Sequence, residues 1–169
     1  MARIAVLIDN MFEDPEYAVP AREFMQAGHD LTHVGLERGT RVSGKTNEET
    51  VTIDESISEA SIDDYDAMFI PGGYSPDKLR AHDEAVDFVR KFAESGKLIM
   101  SICHGAQLLI SAQALQGRTL TGWKSIAQDI RNAGAEYVDQ EVVEDGNLIT
   151  SRQPTDIPAF VKACLAKLG

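Results

Sequence analysis

Short, almost continuously apolar runs recur along the chain and predict strands that are buried on both faces. The clearest are IAVLI at 4–8, AMFIPGG at 67–73 and KLIMSI at 97–102. Such runs are typical of a parallel sheet covered by helices, because neither face of the strand meets water. The β-branched stretch DLTHVGL at 30–36 predicts a neighbouring strand.

Helical periodicity fills the segments between these runs. Apolar side chains at helical spacing, in several cases followed by a glycine stop, predict helices at 15–27, 83–96, 105–117, 125–134 and 154–169. In the first of these helices we expect Tyr17, Val19, Phe24 and Met25 to supply the apolar side chains. Strands therefore alternate with helices along most of the chain.

The C-terminal third departs from this alternation. In segment 136–151 two β-rich runs flank Asp145-Gly146, a dipeptide that favours a tight hairpin turn. The acidic segment 42–60 predicts either a further strand pair or an excursion at an edge of the sheet. The fold class predicted is a flavodoxin-like three-layer α/β/α sandwich with a mainly parallel central sheet and a C-terminal β-hairpin, forming one domain over 1–169.

Composition narrows the possible partners. The chain has 169 residues and a formal net charge of −11, which disfavours binding to a nucleic-acid backbone because that requires basic patches. No apolar run approaches the length of a membrane span, and neither a nucleotide-binding glycine motif nor a zinc-like cysteine spacing is present. We therefore expect a cytoplasmic protein with no metal, cofactor or membrane partner.

Cys103 and His104 stand side by side where an apolar strand meets a predicted helix. A nucleophile at a tight strand-to-helix turn is exposed above the carboxyl end of the sheet, and Gly105 allows close approach there. The first N–H groups of the helix would favour a thiolate at this position. The alternative is an inert buried thiol, which is the interpretation we prefer for Cys164, on an apolar helix face.

A second strand ends in Pro71-Gly72-Gly73. In a parallel sheet this turn lies at the same edge as Cys103, so its N–H groups and that of His104 would form an oxyanion hole. The alternative is a simple turn with no chemical role.

Three acids follow the first strand at the same edge: Glu13, Asp14 and Glu16. Asp14, ahead of Pro15, has the pattern of a helix N-cap. One of the carboxyl groups is a candidate partner for Cys103. If it were desolvated there, its pKa would rise and it would donate a hydrogen bond to a thiolate.

The motifs FED, PGG, SICHG and SRQP, in this order, resemble those of the PfpI family of intracellular cysteine peptidase-like proteins. That family lies within the superfamily of the Parkinson-disease deglycase and stress chaperones. The resemblance runs from Arg3 to the last helix, and the pairing of SICHGAQ with the upstream Glu13 is its most specific part.

The resemblance implies a homodimer or hexamer with Cys103 as nucleophile, Glu13 as its partner and His104 as the catalytic histidine. An acid from the neighbouring subunit completes the site in peptidase-like members. Asp77 occupies that position here, one methylene shorter than the glutamate of the family, so we expect peptidase activity to be weak or absent. The downstream Arg152 is left with two interpretations, a ligand for a substrate carboxylate or a partner for the C-terminal acid of a helix.

Several functions remain open at this stage. The first is a cysteine-dependent hydrolase of deglycase or glyoxalase type, acting in the stress response on small reactive carbonyls or on glycated groups of damaged proteins. The alternatives are an intracellular cysteine peptidase, a redox sensor in which Cys103 is oxidised, and a non-enzymatic chaperone.

Overall fold

Eleven strands and six α-helices make up the computed structural model, which describes residues 1–169. The strands are β1 Arg3–Leu7, β2 Asp30–Gly35, β3 Arg41–Ser43, β4 Thr50–Thr52, β5 Glu55–Ser56, β6 Ala67–Ile70, β7 Leu98–Ile102, β8 Thr119–Leu120, β9 Glu136–Tyr137, β10 Val143–Asp145 and β11 Leu148–Ser151. The helices are α1 Asp14–Gln26, α2 Ser75–Leu79, α3 Asp83–Glu94, α4 Ala106–Ser111, α5 Ala127–Asn132 and α6 Ile157–Leu168.

Seven strands form the central sheet, in the order β10-β11-β7-β6-β1-β2-β5. Every neighbouring pair is parallel except β10 with β11, which form the predicted hairpin around Asp145-Gly146. The strand pair predicted within 42–60 is also present, as antiparallel β3 and β4, but these strands form a separate two-stranded sheet and do not extend the edge of the central one. The predicted three-layer α/β/α sandwich with a mainly parallel sheet is confirmed.

Each face of the sheet has its own hydrophobic core. Along β1, Ala5 and Leu7 join one core while Ile4 and Val6 join the other, as the two-residue period of a strand requires. Side chains of α2, α3, α4 and α5 cover the first face, and those of α1 and α6 cover the second. The apolar runs are therefore buried on both sides.

The buried stripe of α1 differs from the predicted apolar face. Val19 is half-buried and Met25 is 53% exposed. Tyr17 and Phe24 are buried as predicted, and the other buried residues of the helix are Asp14, Glu16, Pro20 and Ala21. Helical spacing thus carries the acidic side chain of Glu16 into the interior, in line with Pro20 and Phe24.

Two other local predictions are corrected. The helix expected at 105–117 ends at Ser111, because Gln113 adopts a left-handed backbone conformation with φ +57°. Asp14 is not the N-cap of α1; that position belongs to Glu13. The buried Asp14 carboxylate instead accepts hydrogen bonds from the backbone N–H groups of Thr46 and Glu49.

Candidate active site

The carboxyl ends of β1, β6, β7 and β11 meet at one edge of the sheet, because these neighbouring strands are parallel. A pocket of about 330 Å³ opens there. Its lining residues are Glu13, Glu16, Lys45, Gly73, Tyr74, Cys103, His104, Trp123 and Pro154. Ligand sites in open α/β sheets occur at this edge, so the topology places the predicted nucleophile in a binding pocket.

Cys103 lies at a strained turn between β7 and α4. Its φ is +61°, a left-handed conformation that is uncommon for a residue with a side chain and that is retained where the surroundings impose it. The turn needs a glycine at 105, since a Cβ there would lie 2.7 Å from the carbonyl oxygen of Ile70. The predicted strand-to-helix elbow therefore has the expected geometry.

A buried carboxyl group lies against the Cys103 thiol, and it belongs to Glu16. Its Oε1 accepts a hydrogen bond of 3.1 Å from the backbone N–H of Gly72, and its Oε2 is buried without a hydrogen-bond partner. Burial, followed by the nearby charge of Glu13, raises the pKa of Glu16 to about 8. Glu16 is therefore mostly protonated at neutral pH and has a proton to offer the sulfur.

The direct partner predicted for Cys103 was Glu13, and the structure assigns that contact to Glu16. Glu13 is the N-cap of α1 and its side chain stays at the pocket mouth, where Oε2 is 3.0 Å from Lys45 Nζ. Glu16 lies in the first turn of the helix on its buried side. Glu13 lines the pocket, but it does not hold the thiol.

Two backbone N–H groups approach the Cys103 sulfur, those of Gly73 and His104. Both belong to the predicted oxyanion hole. The third predicted donor, Gly72, is already used, because its N–H binds the Glu16 carboxyl. A Cβ on Gly72 would lie 2.8 Å from the Cβ of Cys103 and would also clash with Glu16 Oε1. Only glycine therefore fits between Glu16 and Cys103.

Cys103 and Glu16 are electrostatically coupled. Burial raises the pKa of the Cys103 thiol, and a charge on Glu16 raises it further, whereas the N–H groups of His104 and Gly73 act in the opposite direction. Two negative charges in one desolvated pocket are unfavourable, so the pair holds at most one. A charge on the sulfur is stabilised by both N–H groups, whereas the side-chain hydrogen bond with Glu16 raises the pKa of the thiol.

His104 is half-buried, and its Nδ1 is 3.4 Å from Cys103 Sγ. Burial, followed by the positive charge of Lys45, lowers the pKa of His104, so the imidazole is neutral at pH 7. Asp77 is exposed on α2, outside the Cys103 pocket, and no hydrogen bond or ion pair joins it to His104 within the chain. The single chain therefore brings Cys103 and His104 together but leaves Asp77 apart.

The Arg152 guanidinium forms ion pairs with two aspartates. Its Nε and Nη2 bind the buried Asp156 at 2.9 and 3.0 Å, and its Nη1 lies 2.9 Å from Asp139. The second interpretation is correct in that the partner is an acid, but wrong about its position, because Asp156 is at the start of α6 and not at the C-terminus of a helix. No group of three or more His, Cys, Asp or Glu side chains has an arrangement that could hold a metal ion, and no helix is long and apolar enough to cross a bilayer.

Comparison with known proteins gives a consistent picture. The chain is 51% identical over 168 residues to protein/nucleic acid deglycase 2 of Escherichia coli (strain K12), covering 99% of this chain and 98% of the relative. It is 50% identical over 167 residues to general stress protein 18 of Bacillus subtilis (strain 168), covering 98% and 97% of the two chains.

Among solved structures, a two-domain protein of Anabaena variabilis with DJ-1/ThiJ/PfpI-like and ferritin-like domains superposes with a TM-score of 0.97 at 40% identity. The match covers all of this chain and 48% of that protein. The family model described as DJ-1/PfpI matches residues 2–167. The chain belongs to the DJ-1/PfpI family.

Proposed function

We propose that this protein is a cytoplasmic stress-response enzyme that uses Cys103 to convert small reactive carbonyls, or the equivalent groups on glycated molecules. The observation that supports the proposal best is the contact between the Cys103 thiol and a carboxyl group that is protonated at neutral pH. A relative named as a deglycase and another named as a general stress protein support the same assignment.

The reaction we propose begins with addition. The Cys103 thiol first loses its proton to solvent. The resulting thiolate forms a C–S bond to the aldehyde carbon of a 1,2-dicarbonyl, and the π electron pair of that carbonyl moves onto its oxygen. The N–H groups of Gly73 and His104 lie where they can stabilise this oxygen, which takes the proton of Glu16. The product is a hemithioacetal on Cys103.

The Glu16 carboxylate formed in this step is then the base for the next one. It removes the hydrogen of the former aldehyde carbon and returns a proton to the neighbouring carbon, leaving the thioester of a 2-hydroxy acid. Water adds to the thioester carbon and expels the Cys103 thiolate. One proton of that water returns to Glu16, the thiolate recovers its proton from solvent, and the net reaction is addition of one water to the dicarbonyl, which gives the 2-hydroxy acid. The partly enclosed pocket of about 330 Å³ suits a substrate of a few carbons or one modified side-chain end.

Lactate formation from methylglyoxal tests this proposal, with the chain's second cysteine as a matched control. Cys103→Ser removes the nucleophile, and we expect it to abolish turnover. Cys164→Ser removes a buried thiol of α6 that does not line the pocket, and we expect turnover close to that of the wild type. Equal rates for Cys103→Ser and wild type would contradict the proposal.

A redox sensor is a second candidate, because a protonated Glu16 beside the sulfur would also donate a hydrogen bond to a sulfinate. Mass spectrometry after mild peroxide treatment tests it, and no added oxygen on Cys103 would exclude it.

We also propose that the chain assembles as a homodimer or hexamer. A peptidase site would need Asp77 of a neighbouring subunit near His104, so we expect peptidase activity to be weak or absent.

A further inference from the structure

An ion pair stands at the mouth of the Cys103 pocket. Lys45 Nζ is 3.0 Å from Glu13 Oε2 and 5.1 Å from the ring centroid of Tyr74. Lys45 is the only lysine or arginine among the nine residues that line the pocket. The pair is in contact with solvent, with 37% of the Lys45 side chain and 28% of the Glu13 side chain exposed.

The loop that carries Lys45 is fixed to the start of α1. Its backbone N–H donates to the carbonyl oxygen of Phe12 at 2.9 Å, and the buried Asp14 carboxylate accepts from the N–H groups of Thr46 and Glu49. Asp14 also fills the space that a Cβ on Gly44 would need. One short segment, 12–16, therefore supplies the two carboxyl groups of the pocket and holds the loop that carries the lysine.

The charges around the pocket can be counted at neutral pH. Glu13 and Lys45 cancel each other, while Glu16 and His104 are mostly neutral. Once the thiolate forms, the pocket carries a net negative charge. The thiolate would repel an entering carboxylate. The carboxylate could form an ion pair with Lys45 only by displacing Glu13, and the Glu13 charge would then be unpaired.

We propose that the Glu13–Lys45 ion pair is a charge filter that selects uncharged carbonyl compounds over those that carry a carboxylate, such as 2-oxo acids. The inference rests on the proposed function for its substrate class. Glu13 is the residue that selects, because it is already paired with Lys45, the only lysine or arginine of the pocket that an anionic substrate could bind.

Alkylation of Cys103 measures this filter without any turnover. Iodoacetamide and iodoacetate alkylate the same thiolate and differ by one negative charge. The ratio of their rate constants is therefore independent of the thiolate fraction. Measurements in a Cys164→Ser background confine the reaction to Cys103. We expect the wild-type ratio of iodoacetamide to iodoacetate to exceed that of a free thiol such as glutathione.

The two partners of the ion pair should change this ratio in opposite directions. Glu13→Gln frees Lys45 and should lower the ratio about tenfold, while Lys45→Met leaves Glu13 unpaired and should raise it by about the same factor, as expected for one partly screened charge near the sulfur. Glu48→Gln is the matched control, because it removes an exposed carboxylate from the same loop outside the pocket. Its ratio should stay that of the wild type.

The outcomes separate this inference from the proposed function. Ratios that are equal in wild type, Glu13→Gln and Lys45→Met, or that shift in the same direction in both variants, would overturn the filter whether or not the protein converts methylglyoxal. Opposite shifts without any methylglyoxal turnover would support the filter and contradict only the proposed function.

Discussion

At the scale of single residues, the site depends on which of two nearby acids enters the interior. Glu13 and Glu16 are three positions apart, yet one pairs with Lys45 at the surface and the other lies against Cys103. The elbow at Cys103 could be predicted because it depends on local features, a strand end and Gly105. Glu16 could have been found from its spacing with Pro20 and Phe24, which places an acid on the buried stripe of α1.

The buried Glu16 should make the stability of the fold depend on pH. Its pKa is raised to about 8 in the folded state, above the value of an exposed carboxyl, so the folded state holds this proton more tightly than the unfolded state. Stability from this group is therefore present at low pH and is lost as pH rises through 8.

Replacement of Glu16 tests this pH dependence. Glu16→Gln removes the cost of the buried charge, and we expect it to raise the melting temperature at pH 9 by about 3 °C or more, corresponding to about 1 kcal/mol for a domain of this size. At pH 5 the gain should be smaller, because Glu16 is already neutral there. Thermal unfolding at both pH values checks this, and a gain that is larger at pH 5 would contradict it.

At the scale of elements, parallel pairing of β1, β6, β7 and β11 brings the site together from distant segments. The alternation of apolar runs and helical patterns was enough to predict this sheet and its hairpin. Lys45 could not be predicted as a pocket residue, because its position depends on long-range hydrogen bonds. The Asp14 carboxylate accepts these from the backbone N–H groups of Thr46 and Glu49. Sequence periodicity carries no information about contacts of that kind.

The start of α6 offers a test of an element contact beside the pocket. Arg152 neutralises Asp156, which is only 2% exposed. Arg152→Met leaves that carboxylate buried without its partner, and we expect a loss of about 3 kcal/mol in the free energy of unfolding, as is typical when one member of a buried ion pair is removed.

Urea denaturation of Arg152→Met measures this loss, with Arg22→Met as the control. Arg22 is exposed on α1, so its replacement should cost far less. A stability for Arg152→Met equal to that of the wild type, together with a raised KM for carbonyl substrates, would restore the interpretation of Arg152 as a substrate ligand.

At the scale of the whole molecule, one surface beside the pocket stands out. Met11 and Tyr74 are 43% and 54% exposed, and they line a shallow hollow together with Asp77 and Lys78. An assembly through this surface would cover apolar side chains and bring a second copy close to the pocket. Sedimentation velocity should show a dimer or hexamer; a monomer throughout would contradict the proposed assembly.

The central claim is that Glu16 supplies the proton for chemistry at Cys103, and the pH profile of lactate formation from methylglyoxal tests it most directly. The reactive pair, a Cys103 thiolate beside a protonated Glu16, has one proton fewer than the resting pair, so the wild-type rate should increase as pH rises through about 8, where the pair loses its first proton. Glu16→Gln should be slower by about a hundredfold or more, the usual contribution of a general acid–base group. A Glu16→Gln variant with the rate and pH profile of the wild type would contradict the account.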